Sequence, residues 1–236
     1  MIGLGTCLGA RIPHLAGGST DPYIDFVRLL LRGQGANGST TISDTSPLAW
    51  GQSGVVNTTI SNEQSLPGFG GTSIKMASGY VWYPPSVASD IGANPFTVEA
   101  WVRPAASDGS YGVVSLRTAT ARGWAMQGNS FRAMIDGVWS DTQLTPSSVP
   151  ATDGWSHVAV THNGLGLYTY WLNGSAVATA TFGTGALDTI ATSGIHVGSS
   201  ADNGENPFTG YLYLRLTVGV CRYAAPFTPP PNFPSV

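Results

Sequence analysis

The sharpest pattern in this 236-residue chain lies near its C-terminal end, where residues 211–218 alternate without a break. Leu212, Leu214, Leu216 and Val218 point one way, and Tyr211, Tyr213, Arg215 and Thr217 the other. A period of two predicts a strand with one face in a core and a second, wetter face. The same alternation recurs in 96–103, where Phe96, Val98, Ala100 and Val102 oppose Glu99 and Trp101. It recurs again in 167–172, where Tyr168, Tyr170 and Leu172 oppose Thr169 and Trp171. Further strands are predicted at 23–32, 55–61, 73–76, 79–83, 112–117, 124–128, 130–135, 156–162, 176–181 and 195–198, with a short one ending in Asp44. Asn173-Gly174 between two β-rich runs is a strong hairpin signal. Only 86–90 and 185–190 read as brief helical turns. About a dozen strands without helix alternation predict an all-β, two-sheet antiparallel sandwich.

The ends of the chain read differently. Residues 1–22 are glycine-rich and lack periodicity, which predicts an extended N-terminal arm ahead of a sandwich spanning 23–236. Pro226, Pro229, Pro230, Pro231 and Pro234 cannot continue a ladder, so the C-terminal tail is expected to run as an extended strap. No charged segment followed by an apolar one marks a signal peptide, and no run of eighteen apolar residues predicts a membrane span.

Composition narrows the function. Hydrophobic residues make up 42% of the chain and charged residues only 10%, far fewer than a soluble domain usually carries. A net charge of −3 without a basic run argues against nucleic acid as a partner. A surface so poor in charge favours self-association. A homo-oligomer is expected, with a trimer ahead of a dimer. Cys7 and Cys221 are too few for a disulfide framework and are expected as two unpaired thiols.

Five segments together resemble the concanavalin A-like (laminin G-like) jelly-roll modules. They are 29–47, 94–104 (NPFTVEAWVRP), 154–164 (GWSHVAVTHNG), 167–180 (LYTYWLNGSAVATA), and 196–200 with 208–234. The last has the form seen in such modules on tailed-bacteriophage structural proteins. The resemblance implies a jelly-roll fold over residues 23–234 and a place on the virion surface, for a protein made in the host cytoplasm. It implies capsid decoration or a tail-associated role, with major capsid or tail proteins as partners. The alternative is a glycan-binding adhesin that contacts the host cell surface. Relatives often hold a structural calcium ion through acidic residues in the first turn and the final strand. Here those places read Gln34, Asn37 and GYLYLR, and Asp44 alone does not make a site, since calcium wants several oxygen ligands. No cofactor is expected.

Relatives of this fold also include glycoside hydrolases, which need two carboxylates flanking the scissile bond. Glu63, Glu99 and Glu205 are the only glutamates, and none has a second carboxylate two or four residues away on its strand. Asp136 and Asp141 flank a turn. His14, His157, His162 and His196 show no metal-ligand spacing, and His157 reads as a structural hydrogen-bonder. The chain is therefore not expected to be an enzyme. Trp101 and Trp155 read as core residues. Candidate ligand-binding residues gather in two loops: Trp124, Arg132 and Trp139 around one turn, and Asp202, Asn203, Glu205 and Asn206 in the other. Aromatic rings beside amides and carboxylates suit sugar recognition, and loops on a rigid scaffold are where binding residues are displayed.

Overall fold

The computed structural model describes residues 21–86, 90–105, 108–118, 123–139, 144–188 and 194–234. A 3-10 turn at Ile24–Phe26 leads into thirteen strands: β1 (Val27–Leu31), β2 (Gly54–Ser61), β3 (Ser73–Tyr83), β4 (Phe96–Pro104), β5 (Gly112–Leu116), β6 (Trp124–Gln127), β7 (Ser130–Ile135), β8 (Val138–Trp139), β9 (Ser156–His162), β10 (Leu167–Leu172), β11 (Ser175–Thr181), β12 (Ile195–Val197) and β13 (Phe208–Val218). All pairings are antiparallel, in the order β11-β10-β9-β4-β13-β3-β12-β5-β6-β7-β8, with β1 added on β13 and β2 on β3. The expected all-β jelly-roll sandwich is what forms.

The sheet becomes a sandwich by bending at one corner. The first part of β3 pairs with β13 and its last residues pair with β12. Between them the register slips in both neighbouring ladders, with Asn57 and Ser78 in the left-handed backbone region. Strands that change sheets through bulges are the usual way to make such a corner. The 73–76 and 79–83 runs are thus one bent strand. Two layers result, one around β4, β13, β9 and β10, the other around β12, β5, β6 and β7.

The core fills the space between them. Leu212, Leu214, Leu216 and Val218 of β13 and Phe96, Val98, Ala100 and Val102 of β4 all point inward and are buried. Rings meet across the gap: Phe131 of β7 lies 6.1 Å from Phe96 and 5.9 Å from Tyr168. The Tyr170 hydroxyl donates to the Gln127 carbonyl at 2.7 Å. Asn173-Gly174 forms the expected two-residue turn, both residues at positive φ, between Leu172 and Ser175.

Several expectations are corrected. The chain from 185 to 188 is extended, and Leu187 bridges Gly92 and Ile135 instead of starting a helix. The other predicted turn, 86–90, has its centre outside the described residues. The short strand ending in Asp44 is a single bridge to Leu31. Asp21, placed by the sequence in the arm, is buried against the sandwich, while the arm to residue 20 lies outside the described residues. Cys221 is disulfide-bonded, not a free thiol. It sits on the strap where neighbouring residues also fasten the chain, and Cys7 lies outside the described residues.

Candidate functional site

The largest departure from the sequence reading is the outer face of the first layer. Glu99, Trp101, Tyr213, Arg215 and Thr217 alternate outward as expected, yet Glu99, Tyr213 and Thr217 are fully buried and Arg215 nearly so. The cover is the strap that follows β13. Gly219 donates to the Pro95 carbonyl at 2.8 Å, Thr97 exchanges hydrogen bonds with Val220 and Arg222, and the Trp101 indole N–H donates to the Pro230 carbonyl at 3.0 Å. Phe233 lies with Phe69, Tyr213, Val27 and Leu30 in a second small core. Tyr223 and Phe227 stack with centroids 3.5 Å apart, and Phe227 meets Trp171 edge-on.

Beneath the strap sits a closed ion network. Arg215 donates to Glu99 Oε1 at 2.8 Å and to Asp21 Oδ2 at 2.8 Å. Arg222 takes both Asp21 oxygens, at 2.9 and 2.7 Å. The second Glu99 oxygen accepts from the Tyr223 hydroxyl at 2.7 Å and lies 3.0 Å from His157 Nε2. Because Glu99 Oε2 only accepts, the His157 proton belongs on Nε2. This leaves Nδ1, which is buried without a partner, as a bare lone pair rather than a stranded N–H. Two carboxylates face two guanidiniums, so the cluster is neutral. Burial alone raises the Glu99 pKa, but Arg215, His157 and Arg222 outweigh it and hold the carboxyl well below the usual range. Burial likewise opposes ionisation of Asp21, and the two arginines reverse it.

This is a carboxylate pair that strand spacing does not show, since Asp21 arrives from outside the strands. It does not have a hydrolase geometry. Glu99 is entirely enclosed, guanidiniums stand between the acids, and the strap closes the face, whereas glycoside hydrolysis needs two carboxylates open to a sugar and its water. His157 is a structural hydrogen-bonder, and Trp101 and Trp155 pack against the second core.

Asp44 is likewise committed to structure. One oxygen accepts from the Leu30 and Ser46 amides at 2.8 and 2.9 Å, the other from the Ser46 hydroxyl at 2.7 Å and the Trp50 amide at 3.0 Å. Four protein donors leave it unsuited to the calcium ion that relatives hold. No group of three His, Cys, Asp or Glu is placed to hold a metal among the described residues.

The second layer is different on its outside. Directly opposite residues in an antiparallel ladder share a face. The register therefore lines up Gly54, Trp82, His196, Ser115, Ala125 and Arg132 across six strands. Trp82 and Tyr80 are half-buried there, His196, Ser115 and Ala125 are buried, and Arg132 is exposed. Trp82 lies nearly parallel to His196, with centroids 6.3 Å apart at 15°, and Tyr80 is 5.7 Å from Trp82. The indole rests over Gly54, where any Cβ would fall 2.1 Å from the ring, so β2 needs glycine at that point.

The 201–207 loop reaches the same face. A Cβ on Gly204 would lie 2.8 Å from the Tyr80 ring. Glu205 pairs with Arg117 at 3.2 Å, its backbone amide donates to Asn203 Oδ1 at 3.2 Å, and Asn206 donates to the Ser200 hydroxyl at 3.0 Å. Burial pushes the His196 pKa down, opposed by the nearby Asp202 charge. The loop residues singled out in the sequence are thus brought together, but beside Tyr80, Trp82 and His196.

Trp124 is not part of this surface. It is fully buried, 6.4 Å from Phe131, because its ladder partners Leu116 and Ala133 both face the core. Trp124 is therefore a core residue and not the ligand platform that the sequence suggests. Arg132 lies on the outer row, three strands or about 14 Å from His196 at ordinary strand spacing. Trp139 pairs with Met134 at the sheet edge, and its side chain lies outside the described residues. Tyr80 and Trp82 were detectable in the sequence: the GYVWY run at 79–83 alternates Tyr80 and Trp82 against Val81 and Tyr83.

Fold and surfaces together define a lectin-like jelly-roll module. Residues 76–213 match the family described as the concanavalin A-like lectin/glucanases superfamily, of laminin G type. This is more than half of the chain, which belongs to that family. No curated protein matches it in sequence. Among solved structures, the binding domain of Paraclostridial Mosquitocidal Protein 1 is similar at 17% identity, over 85% of this chain and 50% of that one, with a TM-score of 0.63. The botulinum neurotoxin type G receptor binding domain is similar at 15% identity, over 83% and 48%, with a TM-score of 0.54. The serotype C1 binding domain gives 15%, 83%, 48% and 0.50. The chain spans about half the length of these solved chains, and at such identities the likeness is one of fold.

Proposed function

We propose that the protein is a non-enzymatic surface module of a tailed-bacteriophage virion, a capsid decoration or tail-associated component that uses the sandwich for packing and display. The observation that carries this reading is the sealed outer face of the first layer. There the only carboxylate on β4 is spent on clamping the C-terminal strap, the segment whose form resembles phage structural modules. A homo-oligomer, a trimer on three-fold sites, contacting major capsid or tail proteins fits a surface so poor in charge. Localising the protein in purified particles by cryo-electron microscopy tests the assignment. Density at regular capsid or tail positions is the expected result. Its absence from particles, or hydrolysis of polysaccharide substrates by the purified protein, would overturn it.

A second reading, a glycan-binding adhesin facing the host, is favoured by one observation: the half-exposed Tyr80 and Trp82 rings beside the polar 201–207 loop. Screening the purified protein against immobilised host-surface glycans separates the two.

A further inference from the structure

We infer that the free edge of β11 is a self-association surface. Two copies of the chain pair antiparallel through residues 179–181, about a two-fold axis at Ala180, and their first layers join into one continuous sheet. The inference goes beyond both readings of function, because it names a contact between copies that either could use.

β11 is the edge that the chain leaves open. The outer edge of β1 is occupied by the chain itself: the Thr45 amide donates to the Leu30 carbonyl at 2.9 Å, and the Asp44 carboxylate takes the Leu30 amide at 2.8 Å. On β2, the Gly38 amide donates to the Ile60 carbonyl and the Ile60 amide to the Ser39 carbonyl, both at 2.8 Å. β11 pairs with β10 on one side. On the other, the Ser147 amide donates to the Val177 carbonyl at 3.0 Å. Past Val177 that side of β11 has no hydrogen-bond partner among the described residues.

Ladder geometry identifies the bare groups. The Asn163 amide donates to the Leu167 carbonyl at 3.2 Å, and the Leu167 amide donates to Asn163 Oδ1 at 3.1 Å. Leu167 thus turns its backbone toward β9. Its ladder partner Thr181 must then turn its N–H and C=O away from β10, and Thr179 does the same. The Phe182 amide, donating to the Gly166 carbonyl at 3.0 Å, belongs to the alternate set that points inward. Unpaired groups on a strand edge are a template for another strand. Antiparallel pairing about Ala180 sets Thr179 opposite Thr181 of the second copy, and Thr181 opposite its Thr179. Each pair exchanges both backbone hydrogen bonds. A two-fold contact of this kind uses up both edges and closes.

A second copy is the occupant that the side chains fit. Natural edges are guarded by charge, Lys above all, or by Pro. From residue 154 to 187 there is no Asp, Glu, Lys, Arg or Pro. About a two-fold axis each side chain approaches its own kind, so a charge here would meet a like charge, and none does. Thr179 and Thr181 are exposed and form Thr–Thr cross-strand pairs, a favourable combination. Four large apolar side chains are exposed among the described residues, and two of them stand at this end of the sheet: Leu165 at 59% and Leu167 at 38%. Leu167 lies opposite Thr181 and shares its face, so the incoming strand lies beside it.

Light scattering of the full chain up to about 100 µM, a range that detects weak pairing, tests the proposal. The expected mass is two chains, or six where a three-fold contact is also made. Thr179→Lys sets like charges across the axis and is expected to weaken pairing about tenfold or more, while mixing it with Thr179→Glu restores pairing between the two variants. Both substitutions fall at an exposed position, and an unchanged melting temperature checks that the variants fold. Ala180→Cys under a mild oxidant is expected to give a disulfide-linked dimer and Ser175→Cys none, since the axis brings only residue 180 within bridging distance of its counterpart. A monomer throughout, assembly in threes alone, or pairing by Thr179→Lys as tight as wild type would overturn the inference. So would an Ala180→Cys chain that crosslinks only to a different protein, which would give the edge another occupant.

Discussion

The two outer faces of the sandwich are written in the same sequence language and end differently, one sealed beneath the strap and the other buried only in part. On the first layer, Glu99, Tyr213, Arg215 and Thr217 alternate with core residues, and all four are buried. On the second, His196, Ser115 and Ala125 are buried, but Tyr80 and Trp82, which alternate with Val81 and Tyr83, remain half-exposed, with Arg132 exposed on the same row. The strands do not differ in kind. What differs is that the proline strap crosses one face and, with Asp21, closes it. A chain with only 13 acidic and 10 basic residues places Asp21, Glu99, Arg215 and Arg222 in this one cluster. Buried ion pairs are weak sources of net stability but are costly to break singly. The cluster therefore fixes where the strap docks. Polarity on an outward position reports a second face, not contact with water.

The strongest way to break this contrast is to remove the charge at the centre of the sealed face. Glu99→Ala leaves the Tyr223 hydroxyl without its acceptor and two guanidiniums sharing Asp21 alone, and the expected loss is about 3–5 kcal/mol in urea unfolding, as for other broken buried pairs. A loss below about 1 kcal/mol would mean that the strap is held by its rings alone. Trp101→Ala, on the same face, removes the hydrogen bond to Pro230 and the packing against the second core, and should cost about 3 kcal/mol.

Acid should act in two smaller steps, first at two buried histidines away from the sealed face and then at its carboxylates. Burial lowers the pKa of His196 and of His162 below 6.5. As pH falls below that value the unfolded chain takes up protons that these folded rings resist, so stability declines. Glu99 and Asp21 are also lowered, from 4.5 and 3.8. Their stabilisation is complete above the ordinary values and is lost as pH falls through the lower folded ones. Both steps have the same sign, because the unfolded state binds more protons in each window. Melting temperature followed from pH 7 to pH 3 should fall throughout, and a rise between pH 7 and 5 would contradict the burial of the two histidines. The smallest effect belongs to the open face. Trp82→Ala should cost about 1 kcal/mol, well below Trp101→Ala, since part of its ring is already in water. Equal losses at the two tryptophans would erase the difference between the faces.

Local periodicity alone determined most of the strands, the Asn173-Gly174 hairpin, the inward sets of β4, β10 and β13, and the polar 201–207 loop, because a strand's alternation and a tight turn's backbone demands are written within a few residues. The partners were decided elsewhere. Arg215 and Arg222 meet Asp21 across 194 and 201 residues, and Trp82 meets His196 only through the β3–β12 register. Trp124, which the sequence placed at a ligand surface by its nearness to Arg132 and Trp139, faces the core because its ladder partners do. Period two assigns a residue to one of two sides. Which side is covered, and by which distant segment, depends on register, on the bend in β3 and on the path of the strap, and these exist only once the chain has folded.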